Sequence, residues 1–160
     1  MSILKHLVPL TALLLAACAS APPSSAPPSP VPRSSVASAA IASRAADNAL
    51  EMVGKPYRYR GSTPTGFDCS GLVQYSYGKA GVKLPRDTQI QRREAQSVSK
   101  SNLRRGDLLF FDQEGKKYSH VGLYLGDGRF IHAPSTGGRV RVDGLNSAYW
   151  SKHFVEARRI

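Results

Sequence analysis

Residues 66–81 read GFDCSGLVQYSYGKAG. Asp68 is a residue type that caps helix N-termini, Leu72, Val73 and Tyr77 supply an apolar face, and Gly81 suits the position just past a helix end. The stretch predicts a helix from Cys69 to about Ala80. Working outward, the period changes downstream. Residues 106–133 read GDLLFFDQEGKKYSHVGLYLGDGRFIHA, and Leu108–Phe111, Val121–Leu125 and Arg129–Ala133 read as strands. The last two flank Gly126-Asp127-Gly128, a strong hairpin signal. Arg139–Val142 and Phe154–Ala157 are further expected strands. Upstream, a helical pattern begins near Ser43, with Ala46, Ala49, Leu50 and Val53 at helical spacing, and Gly54 and Pro56 stop it. Asp87 or Thr88 caps a short helix through Ala95. Helices first, then an antiparallel sheet, make an α+β fold.

The cysteines carry the chemical signal. The chain of 160 residues holds two. If Cys18 is consumed by lipidation, Cys69 is a lone thiol with no disulfide partner in the chain, which flags a reactive group; an inert buried thiol is the bland alternative. Cysteine catalysis needs a thiolate, a base and a group to orient the base. A helix N-terminus lowers a thiol pKa, so the expected position of Cys69 favours its thiolate. Asp68 opposes this as a neighbouring anion unless its carboxylate is occupied capping Ser70 or Gly71.

Three histidines lie in the folded part: His120, His132 and His153. Hairpin register decides whether the first two cooperate. A two-residue loop at Asp127-Gly128 places His132 opposite Leu123, and His120 then points to the other face. A three-residue loop places His132 opposite Gly122, on the same face as His120. Gly128 suits the positive φ that ends such loops, so the longer turn or an equivalent bulge is expected. Spacing leaves open whether both histidines act or one is structural. His153 reads as a surface or packing residue.

The N-terminal part reads differently. Residues 1–17 carry Lys5 and His6 and then an apolar run too short to span a bilayer, the pattern of a secretory signal peptide. They end in Leu15-Ala16-Ala17-Cys18, which resembles the lipobox of bacterial lipoproteins. That resemblance implies cleavage before Cys18, its lipidation, and, with Ala19 rather than Asp next, the periplasmic face of the outer membrane. Residues 19–46, rich in Pro, Ser and Ala, read as a disordered tether. Residues 47–160 are then the catalytic domain, and no segment of them is apolar enough to cross a bilayer. The formal charge of +11 favours anionic partners. An exported protein rarely meets nucleic acid, and the carboxylates of peptidoglycan stem peptides suit the charge.

The segment Gly66–Tyr75, with Gly54-Lys55-Pro56-Tyr57, Leu84-Pro85-Arg86, Gly106–Phe111, His120–Gly126 and Ile131-His132-Ala133-Pro134, resembles the NlpC/P60 family of cell-wall cysteine peptidases. The motifs occur in the family's order over nearly all of residues 47–160. The resemblance implies a papain-like core, with the nucleophile helix packed on an antiparallel β-sheet, and hydrolysis of peptide bonds in peptidoglycan stem peptides. It implies Cys69 as nucleophile, His120 as general base and then acid, and His132 as the orienting residue. Tyr57, Asp68 and Ser70 fall in the oxyanion and substrate pocket. No metal or organic cofactor is implied. Arg60 stands where many members have glycine, which bears on the shape of that loop. Three other readings use the same residues: an acyltransferase or amidase with the same trio, a Cys/His₂ zinc centre, and a wall-binding lipoprotein without catalysis.

Overall fold

The computed structural model describes residues 33–113, 115–135 and 138–160. The expected signal peptide, Cys18 and the first part of the expected tether lie outside these residues.

The first helix, α1, spans Arg33–Leu50, so the expected boundary at residue 46 is corrected. Half of the supposed tether, residues 33–46, is helix, and the folded part begins earlier. The buried face is Ala42, Ala45, Ala46 and Ala49, while Val53 lies beyond the helix and is exposed. Alanine carries the highest helix propensity, and its small side chain lets α1 come close to its neighbours. A side chain at Gly106, where φ is +91°, would collide with the Ala42 carbonyl. Pro-rich composition hid a segment whose alanines pack rather than solvate.

A two-stranded ribbon, β1 (Ser62–Thr63) with β2 (Gly66–Phe67), leads into α2 (Cys69–Lys79). Asp68 caps α2 as expected, its carboxylate accepting from Gly71 N at 2.8 Å. Gly71 has no room for a Cβ, because the Gly61 carbonyl lies against it. Asp87 then caps α3 (Thr88–Glu94), with Oδ1 accepting from Gln89 N and Ile90 N.

The remaining strands are β3 (Gln96–Val98), β4 (Leu108–Gln113), β5 (Lys116–Gly126), β6 (Arg129–His132), β7 (Arg141–Gly144) and β8 (Phe154–Arg159). A short helix, α4 (Ala148–His153), precedes β8. They form one antiparallel sheet in the order β3-β8-β4-β5-β6-β7. The strand expected at Arg139–Val142 begins two residues later. Residues 139–140 instead pair with the segment after α1, through Gly54 N to Val140 O and Val140 N to Lys55 O, both 2.8 Å. One sheet face packs Leu108, Phe110, Val121, Leu123 and Ile131 against the alanines of α1 and Leu72, Val73 and Tyr77 of α2. The other face carries Leu109, Phe111 and Phe130 under Trp150 of α4.

The β5–β6 hairpin resolves the register question. Asp127 and Gly128 both have positive φ (+51° and +68°) and form a two-residue turn closed by the Gly126–Arg129 pair. A bulge at Leu125 then shifts the pairing, so that Leu123 faces Ile131. The bulge does the work expected of a longer turn, because the extra residue moves the partner face by one step. His120 and His132 thereby share the face that carries Phe130 and Trp150.

Candidate active site

Cys69 is the first residue of α2. Its backbone N–H is one of the donors that helix geometry leaves without an intrahelical acceptor. The backbone of Val121, Thr88 and the Ser70 backbone face the thiol and favour its charged form. The Val121 contact draws the thiol to the strand residue that follows His120. Cys69 and His120 line one cleft with Tyr57, Gln113 and Ala133.

Behind His120 runs a chain of three hydrogen-bonded side chains. His120 Nε2 is 2.9 Å from His132 Nδ1, and His132 Nε2 is 2.9 Å from Asp143 Oδ2. The Asp143 carboxylate also accepts from Trp150 Nε1 at 2.9 Å and from Arg141 Nε at 3.1 and 3.2 Å. Burial would raise the Asp143 carboxyl, but these bonds from His132, Trp150 and Arg141 outweigh it and hold the group below the ordinary carboxylate range.

The charge on Asp143 sets every tautomer in the chain. A carboxylate only accepts, so His132 carries its proton on Nε2 and its lone pair on Nδ1. His120 must then donate from Nε2, which leaves the lone pair on His120 Nδ1. That nitrogen is the one free to act as a base. Both rings are buried, His120 at 3% exposure and His132 at 0%, and Trp150 stacks on His120 with ring centres 5.5 Å apart. Burial first, then proximity to the His132 ring and the Arg141 charge, lowers His120 to about 3 against the pull of Asp143. Burial lowers His132 to about 4 against the opposing pull of Asp143. Both imidazoles rest neutral.

The thiol rests neutral too, which corrects the expectation from its helix position. Burial pushes Cys69 up, and Asp68 adds to the rise. The Val121 backbone, Thr88 and the Ser70 backbone only offset part of this. Desolvation of a charged sulfur wins over the helix N-terminus because the field of unpaired N–H groups is partly spent on the capping carboxylate.

Asp68 and Ser70 lie on the rim beside Cys69, lining an adjoining cavity of about 620 Å³ with Tyr59, Arg60, Arg86 and Thr88. Asp68 Oδ2 takes Arg86 Nη2 at 2.6 Å, and Arg86 Nη1 donates to Ser70 Oγ at 2.8 Å. Arg60 holds φ +57° and gives its N–H to Asp68 Oδ2 at 3.1 Å. A left-handed backbone is one that glycine adopts freely, so this loop keeps a glycine-like shape with arginine in it. The Tyr57 phenol is raised by burial first, then by Asp68 and Cys69. It stays protonated and able to donate into the cleft.

His153 stands apart, with Nδ1 at 2.7 Å from the Asp112 carbonyl. Among the described residues no three His, Cys, Asp or Glu side chains are grouped to hold a metal ion. Asp143 and Trp150 were given no role in the sequence, and Arg86 stood there only as the end of the Leu84-Pro85-Arg86 motif. Asp143 and Trp150 both come from beyond the last motif: Asp143 is brought in by the β6–β7 pairing, which sets Phe130 opposite Asp143 and His132 opposite Arg141, and Trp150 arrives on α4.

A thiol at a helix N-terminus, a neutral histidine with one free nitrogen and a carboxylate-anchored relay together define a site equipped for acyl transfer through cysteine. Residues 54–159 match the NlpC/P60 family, and the chain belongs to it. It is 43% identical over 121 residues to the murein DD-endopeptidase MepH of Escherichia coli (strain K12), covering 72% of this chain and 45% of that protein. It is 43% identical over 118 residues to the E. coli murein DD-endopeptidase MepS/murein LD-carboxypeptidase, covering 73% and 62%. The crystal structure of an NLP/P60 family protein similar to lipoprotein from Staphylococcus aureus superposes with a TM-score of 0.68 at 40% identity, covering 75% of this chain and 41% of that one. The chain thus spans less than two thirds of the length of these relatives.

Proposed function

We propose that the protein is a cysteine endopeptidase that hydrolyses peptide bonds in peptidoglycan stem peptides. The observation that carries this reading is the unbroken line from Asp143 through His132 to His120, which leaves one basic nitrogen in the cleft of Cys69. Relatives named as murein endopeptidases support the substrate class.

In this reading the Cys69 sulfur attacks the scissile carbonyl as its proton passes to His120 Nδ1. Low resting basicity is compensated in the reacting state, because the new imidazolium donates to His132 and, through it, is stabilised by Asp143. The tetrahedral oxyanion is held by the Cys69 N–H and the Tyr57 hydroxyl. His120 then returns the proton to the departing amine, which leaves a thioester. A water, deprotonated by His120, attacks the thioester and releases the carboxylate product and the thiol. We further propose that the chain is exported and held at the periplasmic face of the outer membrane by lipid on Cys18.

The test is digestion of purified peptidoglycan by the wild-type chain and by Cys69→Ala, with mass spectrometry of the products. Fragments made only by wild type, each pair heavier by one water than its parent, are expected. Fragments from both proteins would refute the nucleophile. Products carrying an acceptor amine in place of water would mark a transferase.

A further inference from the structure

The cleft of Cys69 continues into a second cavity of about 430 Å³, with Gln113 and Ser135 common to both. Its other walls include Arg141, Asp143, Tyr149 and Trp150. Asp143 and Trp150 are the groups packed on His132 and His120. The cavity therefore lies on the histidine side of the nucleophile, where a departing amine takes its proton.

Each of the two cavities that flank Cys69 carries an arginine paired with an aspartate, and the two pairs differ in which guanidinium nitrogens they leave open. On the α2 side, both Nη atoms of Arg86 are engaged, by Asp68, Ser70 and the Gly61 carbonyl. On the histidine side, Arg141 is held only through Nε, by Asp143. Its side chain is 55% exposed, and among the described residues neither Nη makes a hydrogen bond. A guanidinium fixed at Nε presents its Nη edge in a set direction, which matches the two oxygens of a carboxylate. Lys116, exposed on the rim of the Cys69 cleft, adds to the positive field.

We propose that this cavity receives the leaving group, and that Arg141 binds a free carboxylate on the residue that supplies the departing amine, such as diaminopimelate. The proposal rests on the peptidase reading for the direction in which the substrate lies.

The test uses two synthetic stem peptides that differ in one group, the diaminopimelate carboxylate or its primary amide. Wild type is expected to favour the carboxylate in kcat/KM by about 10- to 100-fold, the range for a hydrogen bond between charged groups. Arg141→Ala should bring the ratio close to one, whatever it does to the absolute rates. If Arg141 serves only to steady Asp143, both peptides slow equally and the ratio survives. That outcome, or a wild-type ratio of one, overturns the proposal. Dissociation constants for the two peptides with Cys69→Ala give a readout without turnover. Should wild type cleave neither peptide, the peptidase reading fails by itself. The binding ratio then still decides the role of Arg141: a preference lost in Cys69→Ala/Arg141→Ala upholds it, and equal binding overturns it.

Discussion

His120 Nε2 and His132 Nδ1 stand 2.9 Å apart, on neighbouring strands, with their ring planes at 90°. The edge of one ring thus aims a proton at the lone pair of the other. This contact fixes which nitrogen of His120 is basic, and its loss should cost turnover more than stability. His132→Ala is expected to lower kcat by at least about 100-fold, while His132→Asn, whose amide oxygen can accept from Nε2, retains more. Rates on a muropeptide substrate, with circular dichroism as a check on folding, test the pair. Equal rates for the two variants would contradict the hydrogen-bonding role.

Asp143 determines the tautomers by being an anion. Asp143→Asn keeps the shape but offers an amide that can orient its N–H₂ toward His132, which reverses the proton pattern along the chain. A loss of about 100-fold or more in kcat is expected, with KM changed little. Trp150 donates to the same oxygen, so its fluorescence should report whether the local packing survives.

The raised thiol gives a kinetic signature. With Cys69 pushed up by burial and His120 pushed down by burial, a thiolate–imidazolium pair is not the resting state. Alkylation by iodoacetamide should accelerate continuously as pH rises from 6 to 9. A plateau over that interval would show a pre-formed thiolate and contradict the assignment.

The buried histidines also link stability to pH. Their folded pKa values, about 3 and about 4, lie below the ordinary 6.5. Between about pH 4 and 6.5 the unfolded chain therefore binds more protons than the folded one. Stability rises with pH across this window and is lost as pH falls through it. Melting temperatures measured from pH 7 down to 4 should decline. A flat profile would mean that the rings accept protons in the folded state.

The early start of α1 can be tested by truncation. A chain beginning at residue 47 loses Ala42, Ala45 and Ala46, all buried, and uncovers the surfaces they meet on α2 and at Gly106. It should be less stable than a chain beginning at residue 33 by about 3 kcal/mol or more. Urea denaturation compares the two, and equal midpoints would show that α1 contributes nothing before residue 47.

What the sequence determined by itself was local or carried by ordered motifs. The Asp68 cap, the helix it starts and the glycine turn between β5 and β6 all follow from interactions within a few residues. Cys69, His120 and His132 stand inside such motifs, and the hairpin brings the two histidines within reach once a single bulge sets the register. Tertiary structure decided the rest. Asp143 reaches His132 only because β7 pairs with β6 in one register, and nothing near Asp143 in the chain marks it. Arg86 is tied to Asp68 across 18 residues. The alanines of α1 gain their value from the closeness of α2 and Gly106, which composition does not reveal. The resting charge of Cys69 depends on how much water the whole fold removes from the sulfur, a sum over neighbours from several elements, so the helix terminus alone could not predict its direction.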